Sequence, residues 1–384
     1  MKTLCSILAI MFLLATCSFA QNGGYLLIND DDFNSNFADI DTISSSGALA
    51  LMTTVQTFGA GGGGGFFTVP NSTVGKNLKC FFVSDSGTND VAAFQIPSLK
   101  RVTTNFTNPA LSSSQGIGLA ATPNGKFLIS AWSGSQNLAV LSIASDCSLT
   151  LVGTPINQPD LVVDLTVTAN SEAVVVSYPD LGGVQAYSIS KTGTLTPVGS
   201  AFMFAESVSQ CSSVGCFPSN ADVTANGQFW VWGNATLGAP STLTATLTSH
   251  GFTNPALQTY TSSGLQNVEG PWFSPAARAG NGNLYLGAAG FGTNYPAGII
   301  VANFNHGVIT YASATPIAGA YFAGNVQSIG KTGAGSPIAQ MWGDSEANNT
   351  VQSYTVNGTT LTPADGLRTS SSGSLAEWIT GAVK

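Results

Sequence analysis

The chain has 384 residues, of which only 8% are charged, and its formal net charge is −8. An acidic chain without clusters of Lys or Arg cannot neutralise many phosphates, so nucleic acid is not an expected partner. After residue 20 no run of about 18 apolar residues occurs, so no integral membrane segment is expected.

Residues 1–20 predict a secretory signal peptide. Lys2 supplies the single charge before a short apolar stretch at residues 7–14, and Ser18 and Ala20 are small residues at the two positions that a signal peptidase reads. We therefore expect an exported protein, secreted or periplasmic, in which residues 21–384 form a single domain. We expect this mature chain to be a monomer.

Four cysteines remain in the mature chain, an even number for an oxidising compartment. Cys211 and Cys216 enclose only four residues, so we predict a local disulfide between them. A zinc site is the alternative, but no nearby His or second Cys pair completes four ligands. Pairing of Cys80 with Cys147 is left open.

A unit of paired strands recurs along the mature chain. In one copy, residues 127–132 and 138–143 alternate apolar and small polar side chains with the period of two that strands require. Copies of the unit begin at the following positions: Tyr25, Cys80, Phe127, Ala173, Phe229, Leu284 and Ile338. Seven copies give units of about 50 residues, which is the size of a propeller blade.

Two series of glycine turns support the same register. Asn-Gly pairs, which accept the positive φ of a hairpin turn, precede several first strands. They are Asn124-Gly125, Asn226-Gly227 and Asn281-Gly282. A second series recurs about 20 residues later in five of the units: Ser46-Gly47, Thr192-Gly193, His250-Gly251, His306-Gly307 and Asn357-Gly358.

These patterns predict an all-β fold, a seven-bladed β-propeller. The mature chain enters at the second strand of its first unit, and residues 375–380 predict the missing innermost strand of that unit. Pairing of the N- and C-terminal strands in one blade would close the ring and leave no exposed edge.

The repeat resembles that of a known family. Residues 127–143, FLISAWSGSQNLAVLSI, preceded by ATPNG at 121–125, and the copy FVSDSGTNDVAAF at 82–94 are similar to repeats of the lactonase-like (YVTN-repeat) β-propellers. The resemblance covers nearly the whole mature chain. It implies a seven-bladed ring and, for some members, hydrolysis of sugar lactones such as 6-phosphogluconolactone.

The two histidines of the chain bear on this activity. In such a ring, loops from the second to the third strand and from blade to blade line the face where ligands usually bind. His250 and His306 each precede the Gly of a second-series turn, on the opposite face. We interpret both as turn residues, since His tolerates positive φ. No Ser-His-Asp triad or His-based zinc site can then form on the ligand face.

Carboxylates are the remaining acid–base candidates. Asp164, Asp222, Glu269 and Glu377 precede or lie in predicted innermost strands, so they could approach the central channel. We single out Glu269, with Asp164, as the catalytic candidates, and Arg278 as the charge partner of Glu269. No cofactor is required, although such carboxylates could bind Ca²⁺. The alternative is a strand-end carboxylate that accepts backbone N–H bonds from a neighbouring blade.

Aromatic side chains form a second constellation, near the ends of the second strands of four blades. They are Trp132, Tyr178, Trp232 and Trp342. Such rings could stack on sugar faces. The alternative is packing between adjacent blades.

Two functional hypotheses follow. The preferred one is a non-catalytic scaffold that binds a carbohydrate or surface partner through its loop face, because no complete catalytic set is present. The alternative is a lactone hydrolase of the 6-phosphogluconolactonase-like type, a carboxylic ester hydrolase that uses channel carboxylates. A purely structural surface protein is a third hypothesis.

Overall fold

The computed structural model describes most of the mature chain. The described residues are 24–44, 46–62, 72–74, 79–96, 98–102, 104–114, 116–224, 226–234, 241–259, 271–278, 283–288, 298–316, 325–329, 339–344, 350–364, 368–369 and 378–383. The predicted signal peptide at residues 1–20 lies outside them. None of the described helices is long and apolar enough to cross a membrane.

Among the described residues, the strands form seven antiparallel sheets, numbered here in chain order. The first four comprise: sheet one, β1 (Gly24–Asn29), β2 (Phe37–Ile43) and β3 (Leu49–Gln56); sheet two, β4 (Ser72–Val74), β5 (Cys80–Asp85), β6 (Asp90–Gln95), β7 (Lys100–Arg101) and β8 (Phe106–Thr107); sheet three, β9 (Ile117–Ala121), β10 (Phe127–Trp132), β11 (Asn137–Ile143) and β12 (Leu149–Asn157); sheet four, β13 (Asp164–Val167), β14 (Ala173–Tyr178), β15 (Gly183–Ile189), β16 (Leu195–Pro197) and β17 (Phe202–Met203).

Two short helices, α1 (Phe204–Ser207) and α2 (Ser209–Val214), connect sheet four to the remaining sheets. These comprise: sheet five, β18 (Pro218–Val223), β19 (Phe229–Asn234), β20 (Ser241–Thr248) and β21 (Gly251–Thr259); sheet six, β22 (Pro271–Arg278), β23 (Asn283–Ala288), β24 (Gly298–Asn305) and β25 (Val308–Pro316); sheet seven, β26 (Asn325–Ile329), β27 (Ala339–Asp344), β28 (Thr350–Asn357), β29 (Thr360–Pro363) and β30 (Arg368–Thr369).

The final strand, β31 (Trp378–Val383), returns to sheet one and pairs antiparallel with β1, with Gly24 opposite Val383. It lies three residues later than the sequence pattern predicted. The innermost strands of neighbouring sheets contact one another, in the order β31, β4, β9, β13, β18, β22 and β26. The last of these, β26, contacts β31 again. The predicted all-β propeller is therefore confirmed as the fold class.

The hydrophobic core lies between adjacent sheets. Phe82 of sheet two packs with Leu128 of sheet three, and Val176 of sheet four packs with Ile129 on the other side of sheet three. Because strand side chains alternate between the two faces of a sheet, each central strand supplies both of its interfaces. The continuous burial of β5 and β10 follows from this arrangement.

The predicted glycine turns occur wherever the structure describes them. Gly125 and Gly227 have φ of 72° and 73° in the first series. In the second series, Gly193 has φ of 88°, and both His306 and Gly307 have positive φ. A residue with Cβ is strained in this region, which explains the choice of Gly.

Two disulfides are present among the described residues. The predicted Cys211–Cys216 bond is confirmed, and it closes a short loop around α2. The pairing that the sequence left open is Cys80–Cys147, with an S–S distance of 2.03 Å. Because Cys80 begins β5 and Cys147 lies in the turn between β11 and β12, this bond joins sheets two and three.

Uncharged side chains also connect neighbouring sheets. Gln258 of sheet five donates from Nε2 to the Gly307 carbonyl (2.9 Å), and its Oε1 accepts from the Ile309 N–H (2.7 Å), both in sheet six. Asn283 of sheet six donates to the Gly358 carbonyl of sheet seven (2.8 Å). These bonds satisfy backbone groups at or beside the turns of the second glycine series.

Candidate functional site on the loop face

One face of the propeller is formed by loops. We call loop face the surface made by the loops between the second and third strands, at residues 30–36, 86–89, 133–136 and 179–182 of sheets one to four, together with the linking segments at 57–62, 108–114 and 158–163. The loops contact one another in series. For example, the Asn36 N–H donates to the Gly59 carbonyl (2.9 Å), and the Leu181 N–H donates to Asp160 Oδ2 (3.1 Å).

A buried carboxyl pair lies beneath this face in sheet two. Asp85 ends β5 and Asp90 begins β6, and the two residues are directly opposite in the ladder. Asp85 Oδ1 accepts from Asn36 Nδ2 (2.8 Å) and from Thr57 Oγ1 (2.7 Å). Asn105 Nδ2 donates to Asp90 Oδ1 (2.5 Å) and lies 3.4 Å from Asp85 Oδ2. The pair therefore joins a loop of sheet one, the link to sheet two and the segment after β7.

The protonation of Asp85 follows from its surroundings. Burial raises the pKa of Asp85 well above its ordinary value, and the charge of Asp90 raises it further, whereas the hydrogen bonds from Thr57 and Asn36 act in the opposite direction. Two carboxyl groups that share one site do not both ionise readily. The pair therefore holds a proton beyond the pH at which an ordinary Asp has lost it.

An aromatic ring and a cation are connected to the pair through Asn105. The Arg101 guanidinium carbon is 4.4 Å from the centroid of the Phe58 ring, and Arg101 Nη2 donates to Asn105 Oδ1 (2.7 Å). Phe58 is 66% exposed and has φ of 66°. Positive φ in a bulky residue is a strained conformation that a structure keeps only when its surroundings enforce it.

Exposed large hydrophobic side chains are concentrated on this face. Among the described residues there are five of them, and Phe33, Phe58 and Leu181 lie in the loop face. The other two lie elsewhere: Leu51 in the outer strand β3, and Val308 beside the His306 turn on the opposite face. Exposed apolar side chains gathered on one face favour an interaction surface there.

The structure places Asp164, a predicted catalytic residue, between two blades. Asp164 begins the inner strand β13, and its Oδ2 accepts from the backbone N–H of Ala221 in sheet five (3.0 Å) and from Thr166 Oγ1 (3.2 Å). Burial raises the pKa of Asp164 to about 8. The side chain is 2% exposed, so it does not reach solvent to activate water. This geometry matches the structural alternative that the sequence allowed.

The other members of the predicted catalytic set cannot be assembled from the described residues. Glu269 and Glu377 lie outside them. Arg278 is the last residue of β22, opposite Leu284, and its side chain is likewise outside the described part. Asp222 accepts from the neighbouring Val223 N–H (2.7 Å) and contributes to the raised pKa of Asp164.

Three of the four aromatic candidates are buried. Trp132, Tyr178 and Trp232 are each at most 1% exposed and belong to the core between sheets. Trp132 Nε1 donates to Ser130 Oγ (2.9 Å), and the Tyr178 hydroxyl donates to Gln158 Oε1 (2.7 Å). A role in stacking on a sugar does not fit these three rings, because no ring face is free. The side chain of Trp342 lies outside the described part of the chain.

The histidines lie where the sequence analysis expected them. His250 and His306 are exposed in turns opposite the loop face, and His306 has φ of 50°. For metal binding, no group of three or more His, Cys, Asp or Glu side chains in the described ranges is placed to hold an ion. Calcium binding remains a prediction.

Asp85, Asp90 and Phe58 were not singled out from the sequence. Their signal is visible in hindsight in SDSGTND, in which two Asp flank the four-residue loop at 86–89. The equivalent ladder position in sheet three pairs Trp132 with Asn137. A comparison of this position across the repeat copies would have identified the carboxyl pair.

Comparison with known proteins supports the fold. The sequence matches no protein-family model and no curated protein. A Bacteroides fragilis protein provisionally named a 6-phosphogluconolactonase superimposes with a TM-score of 0.68 at 12% identity, over 94% of this chain and 98% of its own. A Lactobacillus plantarum protein gives 0.65 at 12% identity, over 94% and 99%. A streptogramin B lyase gives 0.53 at 11% identity, over 83% and 93%. At these identities the similarity shows a shared β-propeller fold alone.

Proposed function

We propose that this chain is an exported, seven-bladed β-propeller that binds a carbohydrate through its loop face. Counting each sheet as one blade supports the number seven, and the contact between β26 and β31 supports a closed ring. The observation that carries the binding role is the exposure of Phe33 (69%) and Phe58 (66%) on one face. Two disulfides support export, since such bonds persist in oxidising compartments.

Phe58 is held in position for contact with a ligand. The Arg101 guanidinium lies against its ring, and the Thr57 N–H donates to the Asn36 carbonyl (3.0 Å) beside it. Apolar ring surface with nearby amide and carboxylate groups is the combination that binds sugars. A side chain already ordered before binding loses little conformational entropy when the ligand arrives.

A glycan array probed with purified residues 21–384 tests this function. We expect binding to a polysaccharide class that falls at least tenfold in Phe33→Ala or Phe58→Ala, as for anchor residues at interfaces. Val308→Ala is the matched control, because Val308 is 59% exposed on the opposite face. Absence of binding to every glycan, or an equal loss in Val308→Ala, would contradict the proposal.

The alternative is lactone hydrolysis, which the repeat resemblance favours. The structural similarity does not show that this chain hydrolyses lactones, since one fold hosts many functions. A panel of sugar and aliphatic lactones, assayed with added calcium and with chelator, distinguishes the two functions. Turnover that disappears in Glu269→Gln would establish the hydrolase. No turnover by a folded protein would leave the binding scaffold.

A further inference from the structure

The carboxyl pair Asp85–Asp90 holds together segments that are distant in sequence. Asn36 and Thr57 both donate to Asp85, and Asn105 donates to Asp90. The segment at 57–62 also packs directly on the carboxyl group, because a Cβ at Gly59 would lie 2.4 Å from Asp85 Cγ. The pair is therefore the contact point of loop 30–36, segment 57–62 and the residues after β7.

The charges around the pair are mainly negative. Loop 30–36 contributes Asp30, Asp31 and Asp32. A Cβ at Gly62 would lie 3.2 Å from Asp31 Oδ2 and 2.6 Å from Ser86 Oγ, so the Asp31 carboxylate lies close to the residue that follows Asp85. Segment 57–62 carries no titratable side chain. After β7 the cation is Arg101, which reaches the pair through Asn105.

We propose that Asp85 and Asp90 form a proton-dependent latch that fixes the segment bearing Phe58. While the pair holds one proton, it carries one negative charge instead of two, and Asp85 accepts hydrogen bonds from Asn36 and Thr57. Loss of that proton leaves two buried negative charges on directly opposite residues of one ladder, about 5 Å apart at Cα. Opening of segment 57–62 admits water to the carboxylates and relieves the repulsion.

The latch makes the loop face sensitive to pH. The closed form binds one more proton than the open form, so closure weakens by up to tenfold per pH unit above the ordinary pKa of Asp. Regulation of ligand binding by the latch rests on the proposed function. The latch itself needs no ligand.

Hydrogen exchange measures the latch directly. The reporter amides bond across the joined segments: Asn36 to Gly59, Thr57 to Asn36, Gly61 to Asp32 and Gly87 to Ala60. We expect their protection factors, corrected for intrinsic exchange, to fall by up to tenfold per unit as the pH rises above the ordinary pKa of Asp. The Thr122 and Gly125 amides of sheet three, which bond within their own turn, are the controls and should stay constant.

Asp90→Asn separates this device from a merely structural role. The amide removes the charge of Asp90 and can donate to Asp85, so the protection factors should fall less steeply with pH than in the wild type, although burial still raises the pKa of Asp85. If that variant does not fold, the wild-type protection profile of the reporter amides, compared with that of the sheet-three amides, decides the matter. Reporter protection that follows the controls over the whole pH range would overturn the latch. Failure of glycan binding would leave this result unaffected.

Discussion

The Asp164 carboxylate of sheet four accepts a hydrogen bond from the backbone N–H of Ala221 in sheet five, over 3.0 Å. The bond joins the inner strands of two neighbouring blades. It places a carboxyl group where almost no water reaches it, and burial raises its pKa to about 8. The protonated form is therefore the one that the fold favours.

Asp164→Asn should flatten the dependence of stability on pH. The folded chain keeps the Asp164 proton up to about pH 8, whereas an unfolded Asp releases it near pH 3.9, so wild-type stability is lost as the pH rises between these values. Asn retains an acceptor for the Ala221 N–H and does not titrate. Free energies of unfolding, measured with urea at about pH 5 and about pH 8, should differ by a few kcal/mol less in the variant than in the wild type. Asp146→Asn, at an exposed site, is the control, and parallel profiles would contradict the prediction.

Trp132→Ala should destabilise the fold and leave the loop face unchanged. Trp132 is buried and packs edge-on against Phe106, with 6.5 Å between ring centroids. Truncation of a buried Trp costs about 3–5 kcal/mol, whereas Phe33→Ala at an exposed site should change the free energy of unfolding by about 0.5 kcal/mol or less. Chemical unfolding of both variants measures the difference. Comparable small losses would show that Trp132 is not a core residue.

The two disulfides should differ in their contribution to stability. Cys80–Cys147 spans 67 residues and Cys211–Cys216 spans five. Loop-closure entropy assigns about 4 kcal/mol to the first and about 2 kcal/mol to the second. Replacing each pair with Ser should therefore lower the melting temperature more for Cys80 and Cys147. The reverse order, measured by calorimetry on both double variants, would contradict this account.

His306→Asn should be tolerated, whereas His306→Val should not. His306 has φ of 50°, which Asn adopts readily and a β-branched residue does not. We expect the Val variant to lose about 1 kcal/mol or more and the Asn variant to remain near wild type. Ligand binding or lactone turnover should be the same in both. An activity lost in the folded Asn variant would instead assign His306 a chemical role.

The fold could be predicted because its signals are local. Alternation in residues 127–132 and the Asn124-Gly125 turn specify strands and hairpins without reference to distant segments, and four intervening residues suffice to pair Cys211 with Cys216. The site could not be predicted in the same way. Thr57 and Asn105 lie 28 and 20 residues from Asp85; the packing of sheet one on sheet two brings Thr57 to it, and the return of the chain after β7 brings Asn105.

The same limit applies to the aromatic residues. A Trp at the end of a strand has the same sequence pattern whether it is exposed or covered. Trp132 is covered because Phe106 of sheet two lies against it, and that contact depends on the stacking of neighbouring sheets. Phe33 and Phe58, which lie in loops, were therefore the better candidates for exposed rings.

The bonds from Gln258 and Asn283 to backbone groups of the next sheet have one more consequence. Dissolved ions screen interactions between charges but have little effect on a bond between an amide and a carbonyl. Sheets joined in this way, in a chain with 8% charged residues, should keep their association over a wide range of ionic strength. Such a construction suits the exported location that we propose, where the salt concentration around the protein is not held constant.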